Sequence, residues 1–265
     1  MSGNVGGKRI QHSLHSRKIG VDRAGGIVVT GVALGVNGKQ IEFPSPTRVV
    51  QFHDFLGDVA PDEVNYTEGT DTTTADGAIS AVVNGVFLLT AGDSAGTVAA
   101  DGAQLNSELN WKANQGNLVF EARIKIAAIT TVSLFLGLTD TKALEAPFSL
   151  ATTTYTSNAT DAVGFLFDTE ATTDTIRLVG VKADTDQTHV DSSAVFVADT
   201  YRTFRIEVDA LGNAVFYIDG VYVGAVATAV TITVALTPCF IIRPEGAVAG
   251  RTMSIDYYMV AADRA

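Results

Sequence analysis

The sequence predicts an all-β protein, a sandwich of two antiparallel sheets of the jelly-roll type, preceded by an extended basic arm. Three observations carry this expectation. The run from Leu118 to Ile126 puts Leu118, Phe120, Ala122, Ile124 and Ile126 on one face and Glu121, Arg123 and Lys125 on the other, which is the two-residue period of a half-buried strand. Two alternating runs, Ala214-Val215-Phe216-Tyr217-Ile218 and Val221-Tyr222-Val223, are separated by Asp219-Gly220, a turn pair that tolerates φ > 0 and closes a two-residue hairpin. Short apolar segments recur about every ten residues with turn residues between them, the spacing of an all-β sandwich. No segment shows a convincing amphipathic helical period.

Residues 1–49 form the arm. Lys8, Arg9, Arg17, Lys18, Arg23, Lys39 and Arg48 face only Asp22 and Glu42 within residues 1–48, a net charge of +5. The whole chain is −11, so the remainder carries −16. This stretch is glycine-rich and has Phe43 as its one aromatic residue. It can bury little apolar surface by itself and is expected to order against a partner, with the seven cations as the partner-binding residues. A β pattern over 26–34 is suited to adding an edge strand to a neighbouring sheet.

Pro44 and Pro46 mark the boundary, and the β-sandwich domain spans 50–265. Residues 59–78 read as a polar loop. Strands are expected at 86–90, 97–100, 105–111, 118–127, 132–140, 162–168, 175–183, 188–192, 201–210, 214–219, 221–226, 239–243 and 253–260. Hydrophobic residues make up 46% of the 265 residues, enough for a sizeable core. Cys239, the one cysteine, lies in an apolar run and reads as a small buried hydrophobe. The first twenty residues are polar and basic, with no apolar core of the kind a secretory signal needs, so synthesis and assembly are expected in a cytoplasm. The acidic balance argues against nucleic acid, and no segment is long and apolar enough to span a membrane.

Catalytic patterns are sparse. Sandwich glucanases place Glu-x-Asp-x-Glu on one strand; the nearest approach here is Glu207-Val208-Asp209, without a third acid. The chain is therefore expected not to be an enzyme. Asn158, Asp161, Asp168, Asp174, Asp184 and Asp186 sit in or beside loops where hard oxygen ligands hold Ca²⁺. They lack an Asp-x-Asp-x-Asp loop with a closing Glu, so no metal and no cofactor is expected. His12, His15, His53 and His189 are scattered. Trp111, the single tryptophan, reads as a core residue rather than a sugar-stacking platform.

Several segments together resemble a pattern in tailed-phage virion proteins. They are 117–125, 136–141, 158–168, Gly180-Val181-Lys182-Ala183-Asp184, 204–209 and Phe216-Tyr217-Ile218-Asp219-Gly220. That family resembles the concanavalin A-like (laminin G-like) jelly roll. The resemblance covers about residues 50–263 and implies a structural virion role: a capsid decoration or cement protein on the outside of the phage head, docked on the major capsid protein and assembled as a homo-oligomer, with a trimer expected. Phe-Tyr-Ile-Asp-Gly also occurs in lectins, so the alternative is a lectin-like carbohydrate-binding module for host attachment.

Overall fold

A computed structural model describes residues 20–21, 27–28, 33–36, 39–42, 47–56, 64–69, 76–80, 85–93, 101–151, 154–245 and 250–264. The chain divides into two units, Met1–Val50 and Gln51–Ala265.

In the first unit β1 (Gly20–Val21) pairs with β2 (Ile27–Val28), and β3 (Ala33–Val36) pairs with β4 (Lys39–Glu42), both antiparallel. The β pattern expected over 26–34 thus falls on two local hairpins. The signal was present: Asn37-Gly38 lies between Val36 and its partner Lys39, and Asn-Gly is the dipeptide that closes two-residue hairpins.

The second unit is the sandwich. Its strands are β5 (Arg48–His53, straddling the division), β6 (Asn65–Glu68), β7 (Asp76–Ser80), β8 (Val86–Thr90), β9 (Ala103–Asn106), β10 (Leu118–Ile126) and β11 (Val132–Thr139). Then come β12 (Phe148–Ala151), β13 (Thr154–Ser157), β14 (Ala162–Asp168), β15 (Arg177–Lys182), β16 (Thr185–Asp186), β17 (Val190–Asp191) and β18 (Arg202–Val208). The last four are β19 (Ala214–Ile218), β20 (Val221–Val226), β21 (Thr237–Pro244) and β22 (Thr252–Asp263). A 3₁₀ turn spans Ala113–Gln115.

One sheet runs β20-β19-β18-β10-β22-β8-β7, with β5 also on β22; the other runs β16-β15-β14-β11-β21-β9-β6, with β17 on β15. These are two antiparallel sheets of eight strands, the concanavalin A-like jelly roll. The alternation along β10 survives as a burial pattern in which every second side chain from Phe120 to Ile126 is fully covered and Glu121, Arg123 and Lys125 are half-buried. Between the sheets Phe120 meets Phe240 at 5.6 Å between ring centres, and Phe165 meets Phe204 and Phe216 edge-on at 5.1 and 5.2 Å. Trp111 and Cys239 are buried, and burial pushes the Cys239 thiol far above its ordinary range.

The expected hairpin forms with Asp219 at φ 52° and Gly220 at φ 78°. Asp219 is fixed from both sides, its Oδ1 accepting Thr203 N and its Oδ2 accepting Arg202 Nε, each at 2.8 Å. The 59–78 stretch, read as loop, contains β6 and the start of β7, and the strand expected at 97–100 lies outside the described residues. The β12–β13 hairpin is a further element that local periodicity did not signal.

Candidate functional site

Each sheet has one face in the sandwich core and one turned outward, and the two outward faces differ. On the β14 sheet, register sets Phe135, Leu166 and Ile241 side by side, with Gly137, Gly164 and Cys239 in the next row. Asp168, Ser133 and Arg243 follow beyond them. This face is apolar because the chain covers it with its own segment. Phe148 and Tyr155 of the β12–β13 hairpin, together with Ala159, pack into one buried cluster with Phe135, Leu166, Val179, Val181, Cys239 and Ile241. Gln104 and Asn106 anchor the strap by donating to the Lys142 carbonyl at 3.1 and 2.9 Å. His189 stands edge-on to Phe148 at 5.4 Å, and burial lowers its pKa. Beneath the strap, a cavity of about 10 Å³ lined by Ser133, Phe135, Phe148, Leu166 and Arg243 has room for roughly one water.

At the end of this face the Arg243 guanidinium meets Asp168 at 3.8 Å and forms a second ion pair with Glu245. Burial pushes the Glu245 carboxyl up to about 7, with Asp168 and Glu170 adding to the rise and Arg243 opposing it. Asp168 comes from the end of β14 and Glu245 from the turn after β21, so no search for paired acids along one strand could find them.

The outward face of the β10 sheet is half-buried along its middle and exposed at its two sides, at Tyr222 and Phe52. Strand register sets Tyr222, Tyr217, Arg205, Glu121 and Met259 in one row across five strands. Arg205 bonds Glu207 Oε1 at 2.7 Å and Glu121 Oε2 at 3.2 Å, and Tyr257 Oη donates to Glu121 Oε1 at 2.8 Å. Burial, then the Glu121 charge, pushes the Tyr257 phenol upward, so it stays a donor. Phe52 lies 5.8 Å from the Tyr257 ring, and Arg123 pairs with Asp256 and lies over Tyr201. Phe52 is 54% and Tyr222 59% exposed. The face therefore combines aromatic surfaces at two ends with a fixed set of hydrogen-bonding charges in the middle.

The residues chosen from sequence fare unevenly. Lys8, Arg9, Arg17, Lys18 and Arg23 lie outside the described residues; Lys39 falls in β4 and Arg48 in β5. Three of the acids weighed for calcium have other tasks. Asp161 accepts from the amides of Thr231 and Ala183, Asp168 binds Arg243, and Asp186 accepts from Ser157 N. Among the described residues no group of three or more His, Cys, Asp and Glu side chains is placed to hold a metal. Asp209 caps its own turn by accepting the amides of Leu211 and Asn213. The tyrosine pair separates: Tyr258 is buried against Phe240 and Tyr257 faces out.

Several solved structures superpose on this fold, among them glucanases and a carbohydrate recognition domain. A β-glucanase of Bacillus licheniformis superposes with a TM-score of 0.55 at 12% identity, covering 80% of this chain and 97% of its own. A glycoside hydrolase family 16 endo-glucanase from Bacteroides ovatus also gives 0.55 at 12% identity, over 79% of this chain and 99% of that one. The carbohydrate recognition domain of Emp47p gives 0.53 at 11% identity, over 84% and 100%. No family pattern and no curated protein matches the sequence.

At these identities the likeness establishes the concanavalin A-like fold. Two expectations change. The exclusion of enzymes is overturned, since this architecture is one that glucanases use. The virion part of the resemblance gains no support: the three structures compared above are two glucanases and a carbohydrate recognition domain.

Proposed function

We propose that this chain is a carbohydrate-binding jelly roll that takes an extended, neutral oligosaccharide across the outward face of the β10 sheet. The observation that carries the reading is the row Tyr222-Tyr217-Arg205-Glu121-Met259. Strands lie about 4.8 Å apart, so five positions span roughly 19 Å, a length that accommodates several sugar rings. Exposed aromatic rings offer apolar faces to sugar C–H groups. Arginine and carboxylate groups already fixed by one another give strong, oriented hydrogen bonds to hydroxyls. The net charge of −11 disfavours uronates and sulfated chains. The carbohydrate-active fold neighbours support the same class of ligand.

Calorimetric titration of the full chain with neutral β- and α-glucans, mannans and galactans tests it. Binding is expected for at least one class, and Tyr222→Ala should weaken it about tenfold or more, near 1.4 kcal/mol, with the melting temperature unchanged. No binding to any of these glycans, or a Tyr222→Ala protein that binds as well as the parent, removes the proposal.

The charge contrast between residues 1–48 and the rest favours a second reading. In it Lys8, Arg9, Arg17, Lys18, Arg23, Lys39 and Arg48 dock the protein on an acidic protein lattice such as a capsid shell, the virion role that the resemblance implies. Deleting 1–48 should abolish capsid binding while leaving the sandwich folded; unchanged capsid occupancy refutes that reading.

A further inference from the structure

We propose that Asp76-Gly77, at the start of β7, is a site of spontaneous backbone isomerisation, at which the aspartate is converted to isoaspartate. The Gly77 amide donates to Asp76 Oδ1 at 2.7 Å, and Asp76 is exposed. The carboxyl carbon, one bond from that oxygen, is therefore held within reach of the attacking nitrogen. Among the described residues β7 is the terminal strand of its sheet, so water reaches the pair from the side that carries no neighbouring strand. Packing demands the glycine: a Cβ at position 77 would sit 2.3 Å from Tyr66 Cε2, so a larger residue would displace the Tyr66 ring. The contact with Tyr66 thus keeps in place the one residue type with no side chain to hinder ring closure.

The sequence holds three Asp-Gly pairs, and the fold separates them. Asp101 is fully buried, away from the water that the reaction needs. Asp219 is exposed, but its two oxygens are taken by Thr203 N and Arg202 Nε, both at 2.8 Å. Asp76 combines exposure with a carboxylate turned to its own following amide. In the first step the bond between Gly77 N and Asp76 Cγ forms, and one carboxyl oxygen leaves as water with the amide proton and a proton from solvent. Water then opens the five-membered ring. Attack at Cγ restores aspartate; attack at the Asp76 main-chain carbonyl leaves the chain running through Cβ. The product has the parent's mass and one more methylene in its backbone. That methylene falls before Gly77, so the pairs from Gly77↔Leu89 to Ser80↔Val86 keep their register and Asp76↔Thr90 is the pair lost.

Prolonged warm incubation of the full chain tests the proposal, read by protein-isoaspartate methyltransferase labelling and by electron-transfer fragmentation of its peptides. Isoaspartate at Asp76 is expected to exceed that at Asp101 and at Asp219 by about tenfold or more, the advantage of holding the reacting groups together. Asp76→Asn should reach the same product faster, with loss of ammonia and a gain in mass. Asp76→Glu, whose ring would be six-membered, should take no label at this site. Deamidation at Asn37-Gly38 and Asn84-Gly85 also adds mass and is read separately. The aged parent should keep its far-UV circular dichroism, because the sandwich beyond the first pair of β7 is untouched. A parent that gains no isoaspartate at Asp76 or gains as much at Asp219, or an Asp76→Asn chain that stays unchanged, overturns the proposal.

Discussion

Replacing Phe165 by alanine should destabilise the sandwich by about 3–5 kcal/mol, the usual cost of truncating a buried phenylalanine. The side chain is fully covered and stands edge-on to Phe204 of β18 and Phe216 of β19, so it belongs to one sheet and packs on the other. Both terms of the penalty apply in full: the lost transfer energy of the ring, and a cavity whose walls sit on hydrogen-bonded strands with little freedom to collapse. Edge-to-face contacts add about 0.5–1.5 kcal/mol each beyond area. Chemical denaturation should show a lower midpoint with an unchanged slope. A loss under about 1 kcal/mol would mean that the two sheets are held together elsewhere.

A comparable local effect, with a different signature, is expected for Phe148→Ala. Phe148 is 2% exposed and touches Phe135 and His189. Among the described residues β12 pairs only with β13. The strap is therefore held to the sheet by side-chain packing and a few anchors, such as the Lys142 carbonyl, rather than by a backbone ladder. Removing the ring should release residues 148–157 at about 3–5 kcal/mol of local stability and uncover the apolar row Phe135, Leu166 and Ile241. Hydrogen exchange should quicken across β12 and β13 while β10 and β18 keep their protection. Equal loss of protection in all four strands would show that strap and sandwich form one cooperative unit. If glycans bind the Phe148→Ala protein at the uncovered face, the strap is what withholds that face in the parent.

How far the sequence reached follows from which interactions are local. The alternation in β10 and β18 was legible because each strand reads both environments in turn, and the Asp219-Gly220 turn because φ > 0 restricts the residues that occupy it. The partners of Asp168, at the end of β14, were not legible for the opposite reason. Asp168 reads as a loop ligand until β21 brings Arg243 beside it and the following turn brings Glu245. The β12–β13 strap escaped notice because its apolar residues answer to a sheet face built from four other strands, and no periodicity within 148–157 records that face. Likewise Tyr217 and Tyr222 are visible as strand residues, but their alignment with Arg205 and Glu121 is a property of register between strands far apart in sequence.

What the sequence alone determined is therefore the class of the fold and the inward face of each strand, since both follow from two-residue periodicity and turn chemistry encoded in neighbouring residues. Tertiary structure decided which outward face is roofed, and which distant charges meet. Those outcomes depend on strand order and on a covering segment, and the free energy of closing one face is won only when strands distant in the chain are already side by side.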